Sequence, residues 1–359
     1  MDTSSDPIET SEIITQTFGQ KTVKLSQNAY LRFVFKKLIF YSIVLFCALS
    51  LVWYIPRLDP TDPLLYLFNS GTSGSWVQAR QKQLESFYGL DKPLQDQFIQ
   101  FWVNLLHFDL GIQYDPVGTS VISTIMPSFI LTMILVVPVL FIGFFLGNYI
   151  GGKAAVNKGI GSKISYYFVV FFQSAPYYWT ALGAIIVFFW IKDTQGINLN
   201  SVNWAFLTDF DYDLANPLEF LHMYLIPFLI MLLFSTGGWS TGMRAMMLYE
   251  LDSPYLLYSK QLGFKKSLLE SYARRNAILP QITGLNLRFN ELVGATLIVE
   301  YVFNYKGIGT IIVRSAQTHN YPLIIGSFVI IILATVIGNF LLDVLYGLID
   351  PRIRTGKRS

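Results

Sequence analysis

TIMPSFILTMILVVPVLFIGFFLGNYIGG, residues 124–152, contains no Asp, Glu, Lys or Arg. About 20 apolar residues cross the hydrocarbon core of a bilayer, so this stretch reads as a membrane-spanning helix. Gly143, Gly147 and Gly151 recur every four residues and share one helix face. Small-residue faces let helix backbones approach closely in lipid, so packing is their expected role, with substrate contact as the alternative.

The composition agrees with a membrane reading. The chain of 359 residues is 53% hydrophobic and only 14% charged, against roughly 25% charged in soluble domains. Its net charge of +3 gives no argument for a nucleic-acid partner. Cys47 is the only cysteine, which excludes an internal disulfide or thiolate cluster, and His107, His222 and His319 are far apart. No metal site is expected.

Upstream, residues 1–29 are polar and read as a mobile tail. Residues 30–55 form the first span, entered through Arg32, Lys36 and Lys37. Residues 56–123 hold Pro56, Pro60, Pro63 and a Gly/Ser stretch at 69–75, then amphipathic patterns, and read as a small external domain of short helices. Downstream, further spans are expected at about 164–191, 222–243, 281–303 and 323–349, completing a transmembrane core over 124–352. The third carries Gln173, Ser174 and Pro176, and the fourth has a bend expected at Gly237-Gly238. Residues 192–221 form an acidic loop, and 353–359 a basic end. The fold class is therefore an all-α integral membrane protein with six transmembrane helices.

Basic residues fix the orientation. Lys21, Lys24, Arg32, Lys36 and Lys37, then Lys153, Lys158 and Lys163, then the loop 244–280 and the C-terminal end hold most of the 26 Lys and Arg. By the positive-inside rule both termini are cytoplasmic.

The loop contains SPYLLYSKQLGFKKSLLESYARRNAILP, residues 253–280. Ser253 and Pro254 suit a helix start, and Gly263 suits its left-handed end. Tyr255, Tyr258 and Leu262 then share a face. A second helix over 267–279 leads to Pro280. The segment reads either as a plug for a partner's groove or as an ordinary basic loop.

Enzyme signatures are lacking: there is no His-Glu-x-x-His, no phosphate-cradling loop with Lys, and no Gly-x-Ser-x-Gly elbow. Any energy must then come from a partner or an ion gradient. Ionisable residues within spans are functional candidates by default. Those singled out are Arg288 and Glu291, spaced to pair on one helix face, and Asp343, expected in an interfacial structural pair near Asp350 and Arg352. An ion-coupled transporter or channel using Arg288, Glu291 and Asp343 is the alternative function, and an intramembrane enzyme lacks a catalytic set. Gln173, Ser174, Asn286, Asn290 and Glu291 are candidates to line a pathway, with interhelix bonding as the competing role for the neutral ones.

Several ordered motifs resemble one family. They are Tyr88-Gly-Leu-Asp-Lys-Pro-Leu94, Phe108-Asp-Leu-Gly111, Phe171-Phe-Gln-Ser-Ala-Pro176, Ile298-Val-Glu-Tyr-Val-Phe303 with Gly307-Ile-Gly309, Tyr321-Pro322, and Asp343-Val-Leu-Tyr346 with Asp350-Pro-Arg-Ile-Arg354. Over about residues 31–354 the chain resembles the membrane (permease) subunit of an ABC importer of the oligopeptide/dipeptide permease family. Segment 253–280 is similar to that family's EAA loop, with Gly263 at its glycine and Arg275 to Pro280 at its closing segment. Three features depart from the pattern: Leu257 to Leu262 replace the small and basic run, Lys306 stands where proline is common, and Arg288 and Glu291 are unusual charges.

The resemblance implies the type I importer fold and no catalytic residue in this chain. It implies a second homologous permease subunit, two cytoplasmic ABC ATPase subunits that bind ATP and Mg, and an extracellular or periplasmic peptide-binding protein. It implies a place in the cytoplasmic membrane, in contact with lipid. Ser253, Tyr255, Tyr258, Ser259, Leu262, Gly263, Lys265 and Lys266 become the expected ATPase-coupling residues. Gly143, Gly147, Gly151, Pro176, Pro280 and Asp343 are expected to be structural.

Overall fold

A computed structural model describes residues 7–58, 82, 85–86, 89–114, 119–157, 159–195 and 217–349. The helices are α1 (Pro7–Tyr54), α2 (Leu94–Leu106), α3 (Val121–Val156), α4 (Ile160–Ser174), α5 (Tyr177–Gln195) and α6 (Pro217–Leu251). They continue with α7 (Pro254–Gln261), α8 (Lys266–Thr283), α9 (Leu285–Val302), α10 (Ile308–Gln317) and α11 (Tyr321–Ile349). A 3-10 turn, Ile55–Leu58, ends α1. Among the described residues β structure is limited to one isolated bridge, Ile112 to Ser120.

Four helical stretches are long and apolar enough to cross a membrane: Tyr30–Leu58, Val121–Val156, Met223–Leu251 and Tyr321–Leu348. They coincide with expected spans one, two, four and six. The third, expected at about 164–191, is a bent pair in which α4 and α5 meet at an angle of 106°. A residue before proline is pushed out of the helical region, and Ala175 is extended, with φ −83° and ψ 141°. The fifth differs from expectation. Helix α8 continues through Pro280 to Thr283 and yields to α9 at Gly284, so 281–303 is a jointed segment and not one long apolar helix. The described helices thus give four crossings, or five with the bent pair.

Two further expectations change. Helix α1 starts at Pro7, so regular helix covers most of the 1–29 stretch that the polar pattern left unstructured. Proline suits a first helical position, where its missing N–H is not needed. Helix α6 is unbroken at Gly237-Gly238, and those glycines serve close approach instead of a bend. A Cβ on Gly237 would lie 2.3 Å from the Val169 carbonyl oxygen of α4. Of the external segment 56–123, residues 59–81 lie outside the described residues, as do 196–216 of the acidic loop and the end from 350.

The chain divides into two compact units, one of residues 1–48 with 336–359 and one of residues 49–335. Within the smaller unit, Tyr30 and Phe33 of α1 pack over Gly347 of α11, where a Cβ would stand 2.9 Å from the Phe33 ring. Tyr41 meets Phe340 edge-on at 6.1 Å.

Within the larger unit, the glycine face of α3 lies against α6. A Cβ on Gly143 would lie 2.5 Å from Ser235 Oγ, and one on Gly147 would lie 2.4 Å from Trp239 Cβ. On Gly151 it would lie 2.2 Å from the Ser240 carbonyl oxygen. The Ser240 hydroxyl donates to the Gly147 carbonyl at 3.0 Å, and Phe144 meets Trp239 edge-on at 5.1 Å. The stripe seen in the sequence is therefore a packing surface between backbones. A second cluster joins Val121 and Ile125 of α3 to Ile308 of α10.

Candidate functional site

The loop between α6 and α9 holds two helices with opposite duties on their faces. Ser253 is the N-cap of α7 and Pro254 its first residue, but the Ser253 hydroxyl does not cap the helix. It donates to the Glu250 carbonyl at 2.5 Å. Gly263 closes α7 with φ +81°. Its N–H donates to the Lys260 carbonyl at 3.1 Å and the Phe264 N–H donates to Ser259 at 3.2 Å. That pair of bonds is a Schellman ending, which satisfies carbonyls the helix leaves open.

Leu256, only 2% exposed, is the buried residue of α7. It enters a core made by Met243 and Met247 of α6 and Leu269, Ala273 and Ala277 of α8. A polar knot adds to this. The Tyr255 hydroxyl donates to Glu250 Oε2 at 2.6 Å, and Asn276 Nδ2 donates to the Tyr255 oxygen at 2.7 Å. Partial burial and the bond to Glu250 hold the Tyr255 phenol above its ordinary pKa. The opposite side is open: Leu257, Leu262 and Phe264 are exposed, and Tyr258 is 63% exposed. Ser259 donates to the Tyr255 carbonyl at 2.8 Å. Lys265 is the N-cap of α8, and Lys266 pairs with Glu270 at 3.7 Å.

The expected pathway residues fall on several elements. Gln173 Oε1 accepts from Thr241 of α6 at 3.3 Å, and the Ser174 hydroxyl donates to the Val170 carbonyl at 2.8 Å. Asn286, Asn290 and Glu291 are on α9, with Asn290 exposed. Arg288 and Glu291 pair at 2.7 Å, as their spacing predicts. The Arg288 guanidinium also lies beside Gly238 and 5.7 Å from the centre of the Trp239 ring. Asp343, in the smaller unit, has partners on α1, while Asp350 and Arg352 lie outside the described residues. It pairs with Lys37 at 2.7 Å and accepts from Tyr41 at 2.8 Å. The reason is register: α1 brings Lys37 and Tyr41, one turn apart, onto the face that meets Asp343.

One ionisable residue was not singled out by charge. Glu300 is 0% exposed. Thr132 of α3 donates its hydroxyl to Glu300 Oε1 at 2.6 Å, and the Gly309 N–H donates to Oε2 at 2.7 Å. The Ile308 N–H donates to Thr132 Oγ at 3.0 Å, and the Tyr305 hydroxyl donates to the Leu131 carbonyl at 2.9 Å. A Cβ on Gly307 would fall 2.2 Å from the carboxyl carbon. Glu300 thus ties α3 to the turn between α9 and α10. Its signal was present in the motif Ile298 to Phe303 followed by two glycines, which leave room for a carboxylate.

No group of metal-ligating side chains occurs among the described residues.

Residues 140–355 match the family described as "Binding-protein-dependent transport system inner membrane component". The chain is similar to the oligopeptide transport system permease protein AppB of Bacillus subtilis (strain 168), with 29% identity over 84% of this chain and 93% of that protein. It is 27% identical to the glutathione transport system permease protein GsiC of Pectobacterium atrosepticum, over 90% of this chain and 99% of GsiC. It is also 27% identical to the probable D,D-dipeptide transport system permease protein DdpB of Escherichia coli (strain K12), over 86% of this chain and 93% of DdpB. With the apolar helices and the ordered motifs, these matches place the chain in a family of membrane transport subunits: it belongs to the binding-protein-dependent transport system inner membrane components, the ABC permeases.

Proposed function

We propose that this chain is the permease subunit of an ATP-driven importer of peptides of the oligopeptide/dipeptide class. Its cargo class follows the relatives, which are named for oligopeptide, glutathione and D,D-dipeptide transport. In this reading the chain crosses the cytoplasmic membrane six times, with both termini inside and the segment 56–123 outside. A second homologous permease completes the pathway, a binding protein delivers peptide from outside, and two cytoplasmic ATPases bind ATP and Mg.

The observation that carries the coupling role is the two-sidedness of α7. Leu256 roots it between α6 and α8, while Tyr258, Leu257 and Leu262 remain exposed beneath. A partner that grips the open side moves the rooted side with it, and both attached helices follow. Alternating access then amounts to a population shift biased by ATP and by loaded binding protein. Gln173, Ser174, Asn286, Asn290 and Glu291 are the residues proposed to line the pathway.

Gly263→Pro tests the coupling. It removes the bond to Lys260 and a backbone conformation proline cannot adopt. In reconstituted complex, peptide uptake is expected to fall to background while the subunit still inserts. Undiminished uptake would refute the role. Purification from the native membrane should also bring nucleotide-binding subunits with the chain; transport by the chain alone would overturn the whole reading.

A further inference from the structure

Arg57 stands where a cation is costly. It is partly buried just beyond the end of α1, its guanidinium stacked 3.8 Å from the centre of the Trp53 ring. It donates to the Trp53 carbonyl at 2.6 Å and to Gln97 Oε1 at 3.4 Å. Gln97 is itself fixed, since its Nε2 donates to the carbonyls of Lys92 at 2.8 Å and Leu90 at 3.2 Å. One glutamine therefore sets Arg57 and the turn that carries Lys92 beside each other. Among the described residues neither cation has a carboxylate within ion-pair distance. A partly buried guanidinium favours an anion near it.

Both cations line a cavity of about 600 Å³. Its wall is apolar where Ile325 and Val329 of α11 contribute, and among the described residues Asp109 is the one acid on its lining. Asp109 is engaged through Oδ1 by the Gly111 N–H at 2.8 Å. The place of the cavity matters as much as its chemistry. Its walls include the end of one membrane-crossing stretch, Tyr30–Leu58, and the start of another, Tyr321–Leu348. If those stretches cross the membrane, their ends fall near the headgroups, where tryptophan and arginine settle at the boundary of lipid and water.

We propose that this cavity holds the phosphodiester headgroup of an anionic phospholipid, with Arg57 and Lys92 as its counter-charges and the α11 wall against its first acyl carbons. Guanidinium is suited to phosphate because its N–H groups form a planar fork. The two bonds to described residues use two of the five N–H donors of Arg57.

The test uses the assembled transporter, purified in detergent and exchanged into micelles containing dioleoylphosphatidylglycerol. Native mass spectrometry reads bound lipid. Wild type is expected to retain phosphatidylglycerol through a wash that removes dioleoylglycerol, which has the tails without the phosphate. Lys92→Gln should weaken retention on the order of fivefold, and Arg57→Gln by about tenfold or more. If Arg57→Gln fails to assemble, Lys92→Gln decides, since Lys92 is exposed. Equal retention of both lipids, or unchanged retention in the variants that assemble, overturns the proposal. So does displacement of the lipid by inorganic phosphate, which would make this a free-anion site. Displacement by a tetrapeptide with a free carboxyl would make it a peptide site and also overturn it.

Discussion

Thr132 and Glu300, 168 positions apart, meet at 2.6 Å inside the larger unit, and the hydroxyl that donates to the carboxylate accepts the Ile308 N–H on its other side. One side chain of α3 thus reads both ends of the turn between α9 and α10. Removing it takes one bond from the buried Glu300 carboxylate and one from the Ile308 N–H. An unsatisfied buried group costs roughly 1–3 kcal/mol.

Thr132→Val keeps the shape and removes the hydroxyl. It should destabilise by about 2–3 kcal/mol, read as a lower unfolding midpoint in detergent. Glu300→Gln keeps one acceptor for the Gly309 N–H, so it should cost less than Glu300→Ala. Equal midpoints for Gln and Ala would show that the hydrogen bonds contribute little.

Gly151→Ala should be poorly tolerated, because its Cβ would stand 2.2 Å from a backbone oxygen of α6. Overpacking of this kind costs typically about 1–3 kcal/mol. Gly161→Ala is the control: nothing lies within 4 Å of that Cβ. Size-exclusion profiles and unfolding midpoints of the two variants give the comparison.

Leu256→Ala and Tyr258→Ala separate anchoring from docking on one helix. The first empties a core site and should cost about 2–5 kcal/mol. The second removes an exposed ring and should leave the midpoint within about 0.5 kcal/mol of wild type. Uptake should fall in both. A Tyr258 variant with normal uptake would remove that ring from the coupling surface.

Gly263→Ala is milder than the proline change. At φ +81° a Cβ is strained though space is open, a penalty of roughly 1–2 kcal/mol. Uptake should be reduced and not abolished, with the loss read at equal subunit abundance.

Much of this was legible in the chain itself. The apolar runs located four crossings because length and hydropathy are local properties. Gly143, Gly147 and Gly151 announced a packing face because helical period alone aligns them. The start and end of α7 followed from Ser253, Pro254 and Gly263, although the Ser253 hydroxyl bonds backwards to Glu250. Other features depend on distant partners. Pro176 stood within the third expected span, but the angle of 106° between the two helices it separates was not legible there. Pro280 lies inside α8, three residues before its end, where it forgoes the N–H bond to the carbonyl four residues back, and Gly284 takes the break. Asp343 also bonds to Lys37 and to Tyr41 of α1, the latter 302 positions away, a separation that no local pattern spans. Glu300 escaped notice because its worth depends on Thr132, which no local pattern connects to it.

The contact of α3 with α6 has a kinematic corollary. Where Gly147 and Gly151 meet Trp239 and Ser240, the main chains themselves touch, so these two rods have no clearance to slide or swivel. They form a stiff keel. Any rocking of the larger unit is then left to the places where helical continuity lapses, Ala175-Pro176 and Gly284 among them, and a spin label at those two joints should report wider excursions than one on α3 or α6.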